Sequence, residues 1–449
     1  MRPIILNLVC SVAFSIQMCW IYGEEIAYYW NYMRFLGEYS EDILVDILLY
    51  TSLIALALPT KIDTRGFLLT LLHYFFFIPS VVYIVYNDVG TQYIVAFVAT
   101  TAILLFGSKF DIPLFEAPAT RRGQIMMFLM FITIVALLLQ VIFGGLSTFD
   151  INLEDVYMYR QEAAENMPEI FAYVFSNIST TLIPLSLTLA FSYRNWKVVI
   201  ISIVASTLLF GMTHHKAVFF TSFLVLGLCV LFGYAKSVAR VTLFPLVLVA
   251  IATWEVFANI YIHQHRELGV FASYFVRRTL LVPAMLDSAH IDFFSVFEKF
   301  YWSTSRFGLG LVKPPYDVAA PFVIGREIFH DPNMAANTGI IGSGYANAGM
   351  VGVLLYAAIA AAIIGFLNSL GRRLGHPFVA AASFPTILII VTSADLTTVI
   401  LTHGLLLLVV FLSLLPPSRV EITLKKPWGR PVVSGHPLAK SILHRGPRP

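Results

Sequence analysis

The chain has 449 residues, 58% of them hydrophobic and 12% charged, with a mean hydropathy of +0.80. Soluble domains carry about 25% charged residues, and the apolar runs here approach the ~20 residues that cross a bilayer. That excludes a soluble enzyme and leads us to expect a polytopic membrane protein. The net charge of +3 comes largely from the segment after Pro417, so nothing points to a nucleic-acid partner.

Met1-Arg-Pro and the apolar run Ile4 to Ile21 imitate a signal peptide. No A-x-A-like site precedes Gly23-Glu24-Glu25 and further apolar runs follow, so the run reads as an uncleaved first span. Cys10, Cys19 and Cys229 lie inside apolar runs and read as small buried hydrophobes rather than a disulfide framework. In chain order the expected spans are 3–21, 43–59, 66–87, 91–107, 123–143, 169–192, 197–211, 217–235, 239–260, 339–368, 377–393 and 397–416.

Orientation follows from the Lys/Arg bias of short cytoplasmic loops. The even-numbered breaks hold Lys61 and Arg65; Lys109, Arg121 and Arg122; Arg194 and Lys197; Lys236 and Arg240; Arg372 and Arg373. The odd-numbered breaks are acidic or mixed, except the weakly basic Thr213-His-His-Lys216. The expectation is an all-α fold of about twelve transmembrane helices, multi-pass, with both termini cytoplasmic. Residues 1–416 form one membrane domain, with outer loops at about 144–168 and 262–338. Residues 417–449 form a basic, Pro- and Gly-rich tail, expected to be disordered near anionic lipid headgroups. No internal repeat of the kind found in many transporters is visible.

Absent motifs narrow the chemistry. There is no Walker A or Rossmann glycine pattern, and no H-E-x-x-H, C-x-x-C or D-x-D. No metal or cofactor is expected, and a substrate must bring its own activation, as a lipid-linked diphosphate does.

In the large loop the segment Tyr274 to Phe300 mixes aromatic, basic and apolar residues, as helices lying in the membrane interface do. Arg277 and Arg278 suit a diphosphate, because the guanidinium fork matches phosphate oxygens, but they equally suit lipid headgroups. Arg326 belongs to the same basic set. Asp331-Pro332 marks a turn, and a span then opens near Asn337 with its free N–H groups expected to face outward, where an anion could be received. Gly339, Gly342, Gly344 and Gly349 allow close backbone approach. Asn337, Tyr345 and Asn347 are polar side chains that need partners, and Asn337 could be an N-cap. Lys216 opens a span at the outer face, and Arg160 and Glu162 lie in the smaller loop. His73, Glu255, Asp395 and His403 are ionisable groups within or near spans.

Pro315-Tyr316, Ala336-Asn337-Thr338-Gly339, Gly344-Tyr345-Ala346-Asn347-Ala348-Gly349 and Gly352 together resemble the "N-T-G … Y … G … G" entry to a late span in the bacterial O-antigen polymerase (Wzy-type), or oligosaccharide repeat-unit polymerase, family. Gly211 to Lys216 resembles that family's G-x-R/K step, and the layout resembles it over nearly the whole chain.

The resemblance implies a fold like that of GT-C-type membrane glycosyltransferases. It also implies a metal-independent glycosyltransferase that joins undecaprenyl-diphosphate-linked oligosaccharide units at the periplasmic face of the bacterial inner membrane. Its partners would be those lipid-linked glycans, membrane lipids, a chain-length regulator and a flippase. Under that reading Arg277, Arg278, Arg160, Lys216 and Arg326 hold the anions, with Asn337, Tyr345 and Asn347 near the substrate. His290, Glu162 and His330 are the candidate bases. A lipid-linked glycan ligase and a polysaccharide flippase or transporter are the alternatives.

Overall fold

Away from water a backbone satisfies its polar groups most readily within a helix, and every regular element here is helical among the described residues. In the computed structural model these are residues 3–417 apart from 39, 111, 114–119, 148, 151–174, 235–237 and 265–266. The helices are α1 (Pro3–Met33), α2 (Glu41–Ala57), α3 (Thr64–Tyr86), α4 (Thr91–Gly107) and α5 (Arg122–Ile142). Then come α6 (Ile183–Ser192), α7 (Trp196–Thr213), α8 (Lys216–Tyr234), α9 (Leu243–Ile262) and α10 (272–296). The last are α11 (Ala320–Ile328), α12 (Ile340–Leu374), α13 (His376–Thr392), α14 (Leu396–Leu401) and α15 (Leu405–Leu414).

Each apolar run of the sequence contains helix, and the last one is divided at Thr402 to Gly404 into α14 and α15. Six helices, α1, α3, α5, α7, α9 and α12, are long and apolar enough to cross a membrane by length and composition. This is consistent with a polytopic membrane protein. Met127, Phe131, Ile134 and Leu138 form a large exposed apolar stripe on α5, and Val45, Leu49, Leu53 and Leu56 form another on α2. Stripes of that length suit lipid and not water. The helix ends are fixed locally: Ser40 accepts from the Ile43 amide at 3.2 Å and Asp63 from the Gly66 amide at 2.7 Å.

α3 is the axis of the bundle, with 89% of its apolar window buried. Two departures from simple spanning helices sit beside it. The first is α10. Expected in the membrane interface, it is instead packed among α3, α4 and α12, with Val276, Leu280, Leu281 and the whole of Ala284 to Ile291 buried. Its composition, apolar with isolated polar groups, fits a protein interior as well as an interface, which is why the sequence pattern could not tell the two apart. Its N-terminus is held by carboxylates from α1 and α9. Glu25 accepts from the Gly269 amide at 2.6 Å, and Glu255 accepts from the amides of Phe271 at 3.0 Å and Ala272 at 2.8 Å. Glu255, singled out as an ionisable group near a span, is thus part of a helix cap.

The second departure is a break in α12. Ala348 (φ −148°, ψ 29°) and Gly349 (φ 61°, ψ −145°) leave helical geometry. The bend is so sharp that a Cβ on Gly352 would fall 2.0 Å from the Gly344 carbonyl oxygen. In a straight helix those residues stand about 12 Å apart. The carbonyls of Ala346 and Asn347 accept instead from the amides of Phe300 at 2.9 Å and Tyr301 at 2.8 Å. The break is therefore where the loop after α10 attaches.

Gly349 occupies a backbone region essentially reserved for glycine. Gly349→Ala is expected to destabilise the protein by about 1–3 kcal/mol, read as a lowered thermal unfolding midpoint in detergent. Gly123→Ala, where an added Cβ meets nothing within 4 Å, should leave the midpoint unchanged or raised. An unchanged midpoint for the first variant would show that the break is not strained.

Candidate functional site

The break in α12 opens a cleft of about 330 Å³. Its walls come from α10 (His290), the loop after it (Phe300, Thr304, Ser305) and the start of α11 (Ala319 to Phe322). The residues leading into α12 (Asn337, Thr338), its first turns (Ser343, Asn347) and the α13–α14 turn (Ser393 to Thr398), with His403, complete them. The volume lies at the small end of ligand sites.

α10 supplies two buried groups three residues apart, and so on one helix face. His290 is 1% exposed. Its Nδ1 donates to the Leu286 carbonyl at 2.9 Å, and its Nε2 has no hydrogen-bond partner. A carbonyl cannot donate, so the proton sits on Nδ1 and Nε2 carries a bare lone pair. α10 is not one of the six candidate spans. Burial lowers the His290 pKa to about 4 against the opposing pull of the Leu286 carbonyl, so the ring is neutral at pH 7. Nδ1 is turned back on its own helix, and Nε2 is itself enclosed.

Asp287 lies behind the cleft, fully buried. One oxygen, Oδ1, accepts from the Thr338 hydroxyl and from the Gly342 amide at 2.8 Å. Gly342 is in the first turn of α12, so the carboxyl caps that helix from a neighbouring one, and Asn337 is not the cap. Burial pushes the Asp287 pKa up to about 7, opposed by the bonds from Thr338 and Gly342.

The far wall is a closed polar network. Asp395 accepts from the Thr397 amide at 2.8 Å, the Thr397 hydroxyl, the Tyr356 hydroxyl at 3.0 Å and the Asn347 amide at 3.1 Å. Trp302 donates its indole N–H to Tyr356 at 2.9 Å and its backbone N–H to Asn347 Oδ1 at 3.1 Å. Ser305 reaches Thr397 at 3.1 Å. By contrast, the exposed side chains of Thr304, Asn337 and Thr398 make no hydrogen bond among the described residues. No Lys or Arg is among the described lining residues.

Of the residues singled out in the sequence, the fold brings His290, Asn337 and Asn347 into this cleft, and Asp395 and His403 too. Tyr345 turns away and donates to Gln92 Oε1 at 2.5 Å. Arg277 is buried with its guanidinium 3.6 Å from the Trp30 ring centre, and Arg278 is exposed beside it. Both lie roughly 15–20 Å along α10 from His290 at helical rise. Arg326 pairs with Asp317 at 3.2 Å and Glu327 at 2.9 Å. His330 is exposed in a turn with φ 56°. His73 is buried in the bundle against Ser11 at 2.8 Å. Arg160, Glu162 and the tail lie outside the described residues, as does the side chain of Lys216.

Sequence reasoning passed over Asp287, Tyr356, Thr304 and Thr398. Asp287 did carry a signal, an acid inside the apolar run Leu280 to Ala289. Thr304 and Thr398 carried none. No family model, no curated protein and no solved structure matches the chain.

The raised pKa of Asp287 fixes a sign. The folded state holds this proton more tightly than the unfolded chain, so stability falls as pH rises from the ordinary carboxylate range, near 3.8, to about 7, and is flat above. Asp287→Asn keeps an acceptor for Thr338 and Gly342 and should abolish that slope in unfolding midpoints taken from pH 4 to 8. Asp287→Ala strands both donors and should cost about 1–3 kcal/mol. An identical slope in the Asn variant would mean that another group titrates.

Proposed function

We propose that the chain is a glycan polymerase, joining undecaprenyl-diphosphate-linked oligosaccharide units on the periplasmic side of a bacterial inner membrane. The observation that carries the reading is His290: a buried imidazole in the cleft wall, neutral at pH 7, with its tautomer fixed so that Nε2 is free to take a proton. A sugar hydroxyl is a poor nucleophile until a positioned base takes its proton as the new bond forms. A diphosphate is a good leaving group, so no nucleotide is needed, and positioning two amphiphiles supplies the remainder of the rate.

The full topology belongs to the same proposal: twelve spans, cytoplasmic termini and the cleft at the periplasmic ends of α12 and α13. Arg278, exposed on α10, remains a candidate for holding a carrier diphosphate away from the reacting hydroxyl. A chain-length regulator and a flippase are the partners the proposal requires.

Purified protein incubated with an undecaprenyl-diphosphate repeat unit should form a ladder without nucleotide. His290→Ala should lower the initial rate by about 10²–10⁴-fold, the usual share of a general base. His290→Gln, which fills the site but cannot take the proton, should not restore it. Because the ring must be neutral, the rate should fall as pH approaches 4 and level off above about 6. Full activity in His290→Ala would sink the assignment, and transfer of single units to a lipid acceptor without a ladder would replace polymerase with ligase.

A further inference from the structure

Two sets of polar groups at the cleft differ in how they are bonded, and the difference indicates what it holds. Asp395, Asn347, Tyr356, Thr397, Ser305 and Trp302 are bonded to one another and form a rigid wall. Thr304, Asn337, Thr398 and the Nε2 of His290 have no partner among the described residues. All four unspent groups are uncharged. Together they offer donors (two hydroxyls and an amide N–H₂) and acceptors, including one bare lone pair.

An anion would want something else. Phosphate oxygens accept only, so a phosphate site concentrates donors, above all Arg and Lys. Among the described residues this cleft has neither, and its His290 lone pair and Asp395 carboxylate would both repel phosphate. Arg326 is engaged by Asp317 and Glu327, and Arg277 by Trp30. Lys299, next in the chain to the wall residue Phe300, has its ammonium 5.9 Å from the ring of Tyr345, which turns away from the cleft.

A sugar hydroxyl both donates and accepts, so it can serve each unspent group. The apolar C–H face of a pyranose has a surface to lie on as well, since Phe300, Pro321 and Phe322 line the same space. Phe322 is 38% exposed. A few precisely placed polar groups among aromatic and apolar ones is the ordinary make-up of a ligand site.

We infer that this cleft is a subsite for an uncharged stretch of glycan, bound through the exposed Asn337, Thr304 and Thr398 beside His290, and that the carrier diphosphate docks outside it. The inference rests on the transfer reading only for what the glycan is used for. The specificity it assigns is for neutral pyranosides over phosphorylated ones. The volume admits a short stretch of sugar rather than a whole repeat unit with its carrier.

The test is binding by the full chain in detergent, followed by saturation-transfer NMR. The probes are four neutral disaccharides (maltose, cellobiose, lactose and N,N′-diacetylchitobiose), with inorganic pyrophosphate as the anionic probe. At least one disaccharide should bind saturably and should not be displaced by pyrophosphate. Asn337→Ala and Thr398→Val, both at exposed positions whose loss should not unfold the protein, should each weaken it by about 3–10-fold, one neutral hydrogen bond's worth. Three results would each overturn the inference: no saturable disaccharide signal, displacement of the sugar by pyrophosphate, or unchanged affinity in both variants.

Failure of the transfer reading looks different. Sugar binding that survives while lipid-linked units give no polymer leaves the subsite standing and removes the polymerase. Polymer formation without disaccharide binding does the reverse.

Discussion

A helix that breaks must find new partners for the carbonyls it abandons, and in α12 that requirement organises the site. Once Ala348 and Gly349 leave helical geometry, Ala346 and Asn347 accept from Phe300 and Tyr301. An orphaned carbonyl in an apolar interior costs several kcal/mol, so the loop after α10 is obliged to lie where it does. The side chain of Asn347 extends the same join, accepting from Trp302 and donating to Asp395. One break in one helix therefore fixes three segments distant in sequence around a single cleft.

The other end of the broken segment faces the same problem with donors instead of acceptors. The amides that open a helix seek an anion, and here Asp287 supplies the acceptor from within the fold. Ile340, Ile341 and Gly342 are buried, so this terminus is closed to a substrate. The carboxyl is fully enclosed, and the proton it retains near neutral pH makes it less an ion pair than a hydrogen-bonded strut. Since Asp287 and His290 share a face of α10, the strut that seats α12 also sets the height of the imidazole in the cleft wall. Position and chemistry are delivered by one helix face.

The helices were largely legible in the sequence. The runs read as 66–87 and 123–143 correspond to Thr64–Tyr86 and Arg122–Ile142, because an apolar run bounded by charges has few other options. What pattern could not supply was depth. The segment from Tyr274 to Phe300 has the composition of an interfacial helix, and only the packing of α3, α4 and α12 around it makes it interior. Asn337 and Asn347 were visible as polar residues in an apolar run, yet whether each is spent or unspent depends on Trp302 and Asp395, which reach Asn347 across 45 and 48 residues of chain. The basic residues look like phosphate ligands in sequence; in the fold Arg277 lies over Trp30 and Arg326 pairs with Asp317 and Glu327.

That occupation bears on how a transfer site at a membrane surface could work. A cation beside His290 would hold its pKa low but would also draw any phosphate into the space meant for the nucleophile. Burial alone lowers the pKa without that side effect, and the fixed Nδ1 bond removes the other tautomer. The imidazole is thus kept neutral by desolvation, and the bond from Nδ1 to one backbone carbonyl leaves its lone pair on Nε2. A neutral ring with one unpaired nitrogen costs some desolvation in an apolar wall, far less than a buried charge would. On the proposed reading, a cleft lined by no described Lys or Arg and holding a neutral imidazole would let a hydroxyl approach while the charge of the carrier stays at its margin.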